Sequence, residues 1–373
     1  MTNAAVDLLL DTLRLRGGLS DDEVQARWNA TELRDLARLV VFEGADVWLS
    51  RRLRQRGVIV PAAFREQLKA AVRETTVLNM RIDAQAVAVI SRLTAAAIPC
   101  ALIKGQARRA AASLYPFADA RPVSDVDLLL PESQADEAWT LLCRNGFRRI
   151  YDDTDEWSAD HHRPVLIDDS GVAVELHTTT SMSVSPAEAW RRATDNADVV
   201  LWTGVPTSVP NATELIWQAL SHGVADGGRG YFLKTFLSIA AILSESPPID
   251  WALIHARVSS TEVIDNESQR PVAPERIRRF LFLASSLAGT EIPRALLPDT
   301  SVDLRTLLAW RLRVLPARFG RAITERLLEE SLRAEALMPM TAWTPRRGLL
   351  RALRRRSSSA IARLVYVAAR AAR

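Results

Sequence analysis

The sequence predicts an α+β protein, in which a small mixed β-sheet core lies between mostly helical N- and C-terminal regions. One observation is a strand–turn–helix–loop–strand pattern over residues 101–131, which reads ALIKGQARRAAASLYPFADARPVSDVDLLLP. The other is the helical spacing of apolar residues on both sides of this stretch. The expected regions are an N-terminal helical region (1–80), the sheet core (81–205), a C-terminal helical domain (206–345) and a basic tail (346–373).

Residues 1–80 are predicted to be helical. Ser20 and Glu23 form a capping-box pattern, in which each side chain can accept a hydrogen bond from the other residue's backbone N–H. The segment LRDLARLVVFEGADVWLSRRLRQRG follows, with apolar residues at helical spacing. Pro61 opens a further predicted helix, because proline is tolerated at the first helical position. We expect these helices to pack beside the sheet.

The central stretch predicts a binding site at the turn after the first core strand. This strand, residues 100–104, is followed by Gly105, whose missing Cβ lets the backbone turn and approach a ligand closely. The segment QARRAAASLY comes next and is rich in the good helix formers Ala and Arg. Because a helix begins with free N–H groups, the turn favours a phosphate, to which Lys104 would add a positive charge.

Two carboxylates open the next predicted strand. Asp125 and Asp127 are two residues apart in SDVDLLL, so their side chains point to the same face of the strand. Carboxylates held side by side repel each other unless a cation lies between them, and oxygen ligands of this kind suit Mg²⁺ or Mn²⁺. Before this strand, Arg121 can reach a phosphate or hold the loop to a carboxylate, and Ser124 can cap or hydrogen-bond the loop.

A β-hairpin is predicted in the segment HHRPVLIDDSGVAVELHTTTS, with its turn at residues 168–171. Because side chains alternate along a strand, Glu175 and His177 share one face of the second strand. From Ser185 onward the pattern is helical, and it begins with a capping box that ends at Glu188.

The composition limits the class of protein. Apolar residues make up 48% of the chain and charged residues 25%, as in soluble globular proteins. The first residues, MTNAAVDLLLDTLRLRGG, have an early acid and no basic start, and no stretch is long and apolar enough to span a membrane, so we expect a cytoplasmic location. Cys100 and Cys143 are too few for a disulfide framework or a metal cluster.

The arginine-rich tail, residues 346–373, contains no acid. It can form a basic amphipathic helix on an anionic membrane or nucleic acid, or a docked or frayed terminal helix. Peripheral membrane contact of the tail therefore stays open.

The central stretch resembles the polymerase-β-like nucleotidyltransferase superfamily, and more narrowly a bacterial family of uncharacterised nucleotidyltransferases. That family typically reads LKG, then LYP, then R(P) and DxDLL, where this chain has IKG and LYPFADARPVSDVDLLL. The resemblance implies a polymerase-β-like fold, an NTP as substrate and two Mg²⁺ or Mn²⁺ ions. It further implies metal ligation by Asp125, Asp127 and a third carboxylate, Glu175, with the β- and γ-phosphates held at Lys104 and Gly105.

The resemblance is weaker in the C-terminal half. His222 matches the first histidine of a histidine pair typical of the family, the second is replaced near Asp226, and a later family Asp is Ser238 here. These departures favour a non-catalytic module of the same fold as the alternative function.

The function expected from the sequence is transfer of NMP from an NTP to an acceptor hydroxyl, with release of pyrophosphate. Glu175 can accept the hydroxyl proton, and His177 can hydrogen-bond a phosphate, the acceptor or Glu175, or be structural. A small molecule or peptide is the expected acceptor, and nucleic acid is disfavoured because no RNA-binding module is recognised. The alternative is a nucleotide-binding or regulatory module, for which a toxin-like or antitoxin-like role is open.

Overall fold

The protein is described by a computed structural model, which reveals an α+β architecture of twelve helices and one seven-stranded mixed sheet among the described residues. The residues described are 4–30, 36, 39–40, 43–111, 113, 121, 123–149, 162–181, 183–225, 233–260, 262–265, 269–300 and 303–314. The fold class predicted from the sequence is thereby confirmed. The basic tail lies outside the described residues.

Four helices whose bounds the structure describes precede the sheet. They are α1 (Ala4–Leu13), α2 (Asp21–Ala30), α3 (Asp46–Gln55) and α4 (Ala62–Ala95). The predicted capping box is present, since the Ser20 N–H donates to Glu23 Oε2 at 2.8 Å and the Glu23 N–H donates to Ser20 Oγ at 3.3 Å. Trp48 on α3 is fully buried and anchors this helical layer. Helix α4 runs without a break through residues 80 and 81, and the four-part division of the chain stays a prediction.

The sheet has the strand order β3-β4-β5-β2-β1-β7-β6. Its strands are β1 (Ala101–Leu102), β2 (Asp125–Leu129), β3 (Arg148–Arg149), β4 (Leu166–Ile167), β5 (Ala173–His177), β6 (Asp198–Trp202) and β7 (Val205–Val209). Strand β2 lies at the centre, antiparallel to β1 and parallel to β5. The predicted hairpin is confirmed, because β4 pairs with β5 in antiparallel register across the expected turn.

Helices also connect and follow the strands. They are α5 (Lys104–Ala110), α6 (Glu132–Arg144), α7 (Pro186–Thr194), α8 (Ala212–Ala225), α9 (Leu233–Ser244), α10 (Trp251–Ser259), α11 (Pro274–Ala288) and α12 (Leu304–Val314), with a 3₁₀ turn at Arg294–Leu296. The rings of Phe236 on α9 and Phe280 on α11 pack with centroids 4.5 Å apart. Gly223 on α8 lets these helices approach, since a Cβ there would lie 2.6 Å from the Phe280 ring.

The helical pattern expected from Ser185 onward is wrong for residues 198–209, which form the β6–β7 hairpin. Two residues, Thr203 and Gly204, close this hairpin, and both have positive φ, +46° and +90°. A two-residue hairpin loop with two positive φ angles is the arrangement that fits the right-handed twist of paired strands.

Among the described residues, no helix is long and apolar enough to cross a membrane.

Candidate active site

Two acids meet where β2 and β5 lie side by side at the centre of the sheet. Asp127 and Glu175 are direct partners in the parallel register, and Asp125 is the partner of Ala173. The apolar residues of both strands are buried in the core, which holds the acids at the sheet surface. Asp127 is itself only 4% exposed, so its carboxylate requires polar partners.

His177 supplies one of those partners. Its side chain is fully buried, and its Nε2 lies 2.9 Å from Asp127 Oδ1 and 3.3 Å from Glu175 Oε2. One ligand-type atom from each of Asp127, Glu175 and His177 lies within 4.8 Å of the others. Two carboxylates and an imidazole at this spacing are a donor set for a divalent metal ion.

Lys104 supplies the other partner. Its Nζ lies 2.7 Å from Asp127 Oδ1, 3.5 Å from Glu175 Oε2 and 3.3 Å from His177 Nε2. The turn after β1 delivers this side chain, because the Ile103 N–H donates to the Asp127 carbonyl at 3.2 Å and Lys104 follows directly. Lys104 has a φ of +53°, a left-handed conformation that is uncommon for a residue with a side chain.

The cluster sets the charge of its members. Burial would raise the pKa of Asp127, but the Lys104 ammonium and the His177 imidazole outweigh it and hold that pKa well below its usual range. Burial also opposes the charged forms of Glu175 and Lys104, yet His177 lowers the pKa of Glu175 and Asp127 raises that of Lys104.

Asp125 behaves differently from the other two acids. Burial, followed by the negative charges of Asp127 and Glu175, raises the pKa of Asp125 to about 7. Ser124, whose side chain is exposed, donates a hydrogen bond to this carboxyl group. Asp125 is therefore the carboxylate that would gain most from an added cation.

The turn residues predicted to hold phosphate have other contacts in this structure. A Cβ on Gly105 would lie 2.8 Å from Val123 Cγ1 and 3.4 Å from the Arg121 guanidinium, so this glycine lets the loop before β2 pack against α5. Arg121 donates from Nη1 to Ser238 Oγ at 2.5 Å. The observed partner of Arg121 is thus a hydroxyl, and the two roles expected for it, reaching a phosphate or holding the loop to a carboxylate, stay predictions.

Two site residues were missed by sequence reasoning. Asn79 on α4 donates from Nδ2 to the Arg121 carbonyl at 3.1 Å and accepts from the Val123 N–H at 3.3 Å, so it clamps the chain just before β2. Gln218 on α8 accepts from the Lys104 N–H at 3.4 Å. Each is a buried amide with a backbone group as its partner, and such contacts depend on the packing of distant segments.

The three positions compared with the family in the C-terminal half differ in their surroundings. His222 is exposed on α8, and Ser238 on α9 accepts the hydrogen bond from Arg121. Asp226 lies outside the described residues.

His162 lies next to His177. It forms an isolated bridge with His177, and their rings meet edge to face at 5.3 Å between centroids. His162 is partly buried, and this burial lowers its pKa.

Comparison with known proteins agrees with the geometry. A family model described as uncharacterised nucleotidyltransferase matches residues 29–266, which is more than half of the chain and includes α4, α5 and strands β1 to β7. A search of curated proteins gave no match.

Proposed function

The chain belongs to the family of uncharacterised nucleotidyltransferases, and from this we propose that it transfers the NMP group of an NTP to a hydroxyl of an acceptor and releases pyrophosphate. The observation that carries the proposal is the buried cluster of Asp127, Glu175 and His177, with Asp125 two residues before Asp127 on β2. Family membership indicates a transferase with a nucleotide substrate. The acceptor and the course of the reaction go beyond family membership and are part of the proposal.

The donor set fits a divalent metal ion. Oxygen donors from three carboxylates and one imidazole nitrogen are ligands that Mg²⁺ or Mn²⁺ accepts. A positive group, the Lys104 ammonium, lies against three of these donors, which supports the proposal that the cluster favours a cation. Asp125, Asp127 and Glu175 would hold the ion, which when bound would offset phosphate charge and lower the pKa of the acceptor hydroxyl.

The residues of the chain have defined tasks in this reaction. The acceptor oxygen forms a bond to the α-phosphorus, the bond from that phosphorus to the bridging oxygen breaks, and its electron pair leaves with pyrophosphate. Glu175, whose pKa is lowered by His177, is a carboxylate at neutral pH and would accept the hydroxyl proton and pass it to solvent. Catalysis of this kind depends mainly on positioning and on stabilising charge.

The nucleotide would lie along the turn before β2 and the start of α5. Lys104, Gly105, Arg121, Ser124 and His177 are the residues proposed to contact it. Arg121 would supply positive charge for the phosphates, Lys104 would add its charge from within the cluster, and Ser124 is exposed. The two-ion form of the reaction, on Asp125, Asp127 and Glu175, stays a prediction.

The acceptor proposed is a small molecule or a peptide. The family resemblance supports this choice, and no RNA-binding module is recognised in the sequence. Nucleic acid is therefore the less favoured acceptor.

The experiment that tests the proposal is thermal unfolding of the chain with each NTP, with and without Mg²⁺. A ligand at about 100 times its dissociation constant stabilises a protein by roughly 2.7 kcal/mol, which is a shift of several degrees. We expect a Mg²⁺-dependent shift with one NTP, and we expect Asp125→Asn/Asp127→Asn to lose it. A shift that survives the double substitution would move the site elsewhere.

A second candidate function is nucleotide binding without transfer, as a regulatory module. Its support is that the Lys104 ammonium already neutralises part of the acidic cluster. Nucleotide binding that is independent of Mg²⁺, with no pyrophosphate released in the presence of any acceptor, would favour this function.

A further inference from the structure

The ammonium of Lys104 occupies the position of a cation within the acidic cluster. Its Nζ contacts Asp127, His177 and Glu175, which are the three residues that form the potential metal-ligand group. The Lys104 side chain is 25% exposed, so the ion pair is largely shielded from water. A shielded ammonium among carboxylates interacts more strongly with them than a surface lysine would.

Both ends of Lys104 are held in place. Its backbone N–H donates to Gln218 Oε1 on α8 at 3.4 Å, and its Nζ contacts Asp127 on β2 at 2.7 Å. Its left-handed backbone, with φ at +53°, carries a conformational cost for a residue other than glycine. A fixed and strained lysine at this point indicates that the position of its charge matters to the site.

The charges of the cluster match one divalent ion. When ionised, the carboxylates of Asp125, Asp127 and Glu175 and the ammonium of Lys104 have a formal charge of −2. In the protein without nucleotide, one divalent ion cancels this charge. A second would then leave an excess of positive charge and compete with the ammonium for Asp127 and Glu175.

We infer that Lys104 acts as a built-in cation, so that the cluster binds one divalent metal ion and the ammonium serves in place of a second. This inference rests on the proposed function and deepens it. Asp125 and the oxygens of Asp127 and Glu175 that Lys104 leaves available would hold the single ion. Lys104 is then a positioning residue, because its Nζ contacts Asp127 Oδ1 at 2.7 Å and fixes the orientation of that carboxylate.

The test is the number of Mn²⁺ ions bound by the full-length chain, measured by equilibrium dialysis and by electron paramagnetic resonance of free Mn²⁺. We expect one ion per natural chain and two ions, or one much tighter ion, in Lys104→Met. Lys69→Met is the matched control, because Lys69 is an exposed lysine on α4 that pairs with Glu66, and it should bind as the natural chain does.

Other outcomes of the Mn²⁺ measurement would contradict the inference. Two ions bound by the natural chain would overturn the inference and leave the proposed function intact. Equal number and affinity for the natural chain and Lys104→Met would overturn it as well. No Mn²⁺ bound by either protein would overturn both the inference and the metal-dependent function.

If Lys104→Met does not fold, the ammonium signals of the natural chain test the inference instead. The chain has three lysines, Lys69, Lys104 and Lys234, so their ammonium signals can be assigned in ¹H–¹⁵N spectra. We expect the Lys104 signal to stay protected from solvent exchange and to shift when Mg²⁺ is added. If Mg²⁺ brings this ammonium into rapid exchange, like that of Lys69, the metal displaces it and the inference is wrong.

Discussion

Asp127 Oδ1 and His177 Nε2 lie 2.9 Å apart, although the two residues are two register positions apart on the parallel strands β2 and β5. The Cα partner of Asp127 is Glu175, and His177 follows on the same face of β5. One imidazole therefore contacts both acids and orients them relative to each other. A metal site depends on such contacts, since they fix the direction of each ligand.

Replacing His177 should weaken metal binding rather than only the fold. We expect His177→Gln to reduce Mn²⁺ affinity by about 10- to 100-fold, because contacts that orient metal ligands have effects of this size. Mn²⁺ titration measures it. The matched control is His255→Gln, since His255 is exposed on α10. Unchanged Mn²⁺ affinity together with lower thermal stability would mean that His177 is a structural histidine only.

Gly105 should tolerate no side chain. In Gly105→Ala the new Cβ would lie 2.8 Å from Val123 Cγ1, so the loop before β2 must shift. We expect a loss of about 1–3 kcal/mol in the free energy of unfolding and a weaker response to NTP and Mg²⁺. Urea unfolding and thermal shift with ligand measure the two effects.

The variant Gly223→Ala distinguishes a general loss of stability from a loss of ligand response. Its Cβ would lie 2.6 Å from the Phe280 ring, which is part of the core between α8 and α11. This variant should lose stability and keep the ligand response of the natural chain. An equal loss of ligand response in both glycine variants would show that general destabilisation explains it.

Asn79 should be required for the loop that leads into β2. Its amide bonds both to the Arg121 carbonyl and to the Val123 N–H, and Asn79→Ala leaves these groups without those bonds. We expect a loss of about 1–3 kcal/mol in the free energy of unfolding, measured with urea. Gln67→Ala on the same helix is the control, because Gln67 is exposed and its loss should change little. Equal stability of the two variants would contradict a clamping role.

Glu188 on α7 should give the chain an acid-sensitive contribution to stability. Hydrogen bonds from Arg191 and then Arg192 lower its pKa from 4.5 to about 2. The stabilisation is therefore complete above its unfolded pKa of 4.5 and is lost as the pH falls toward 2. The two arginines also contact Asp195 and Glu262, which compete for them at each pH.

We expect Glu188→Gln to be less stable than the natural chain by about 1 kcal/mol near neutral pH, because exposed ion pairs contribute about that much. The difference should shrink as the pH falls from 4.5, where the glutamate of the unfolded chain becomes protonated, toward 2, where that of the folded chain does. Urea midpoints over a pH series measure it. A difference that is constant with pH would contradict the ionic origin.

The residues at the centre of the site could be predicted from the sequence. Alternation along a strand predicts that Asp125 and Asp127 share a face, and that Glu175 and His177 do, because these relations are local in the chain. The β4–β5 hairpin likewise follows from the residue pattern, because its two strands are joined by a short turn. The approach of β2 to β5 could be proposed only from the family resemblance.

Contacts between distant segments of the chain could not be predicted from the sequence. Nothing near Lys104 in the sequence indicates that its ammonium turns toward Asp127, since that direction comes from a left-handed backbone and from Gln218 on α8. Asn79 and Ser238 likewise act through the folded arrangement of α4 and α9 around Arg121. The β6–β7 hairpin was missed although Thr203 and Gly204 form a two-residue turn that a closer search for such turns can find.

The positive φ of Lys104 has a consequence for engineering. Glycine adopts this conformation freely, whereas alanine carries the steric cost of a Cβ, so Lys104→Gly should be more stable than Lys104→Ala by roughly 1 kcal/mol. Neither variant has the ammonium, so the difference between them isolates backbone strain from charge. The same difference measures the backbone cost that the natural lysine carries while its ammonium contacts Asp127.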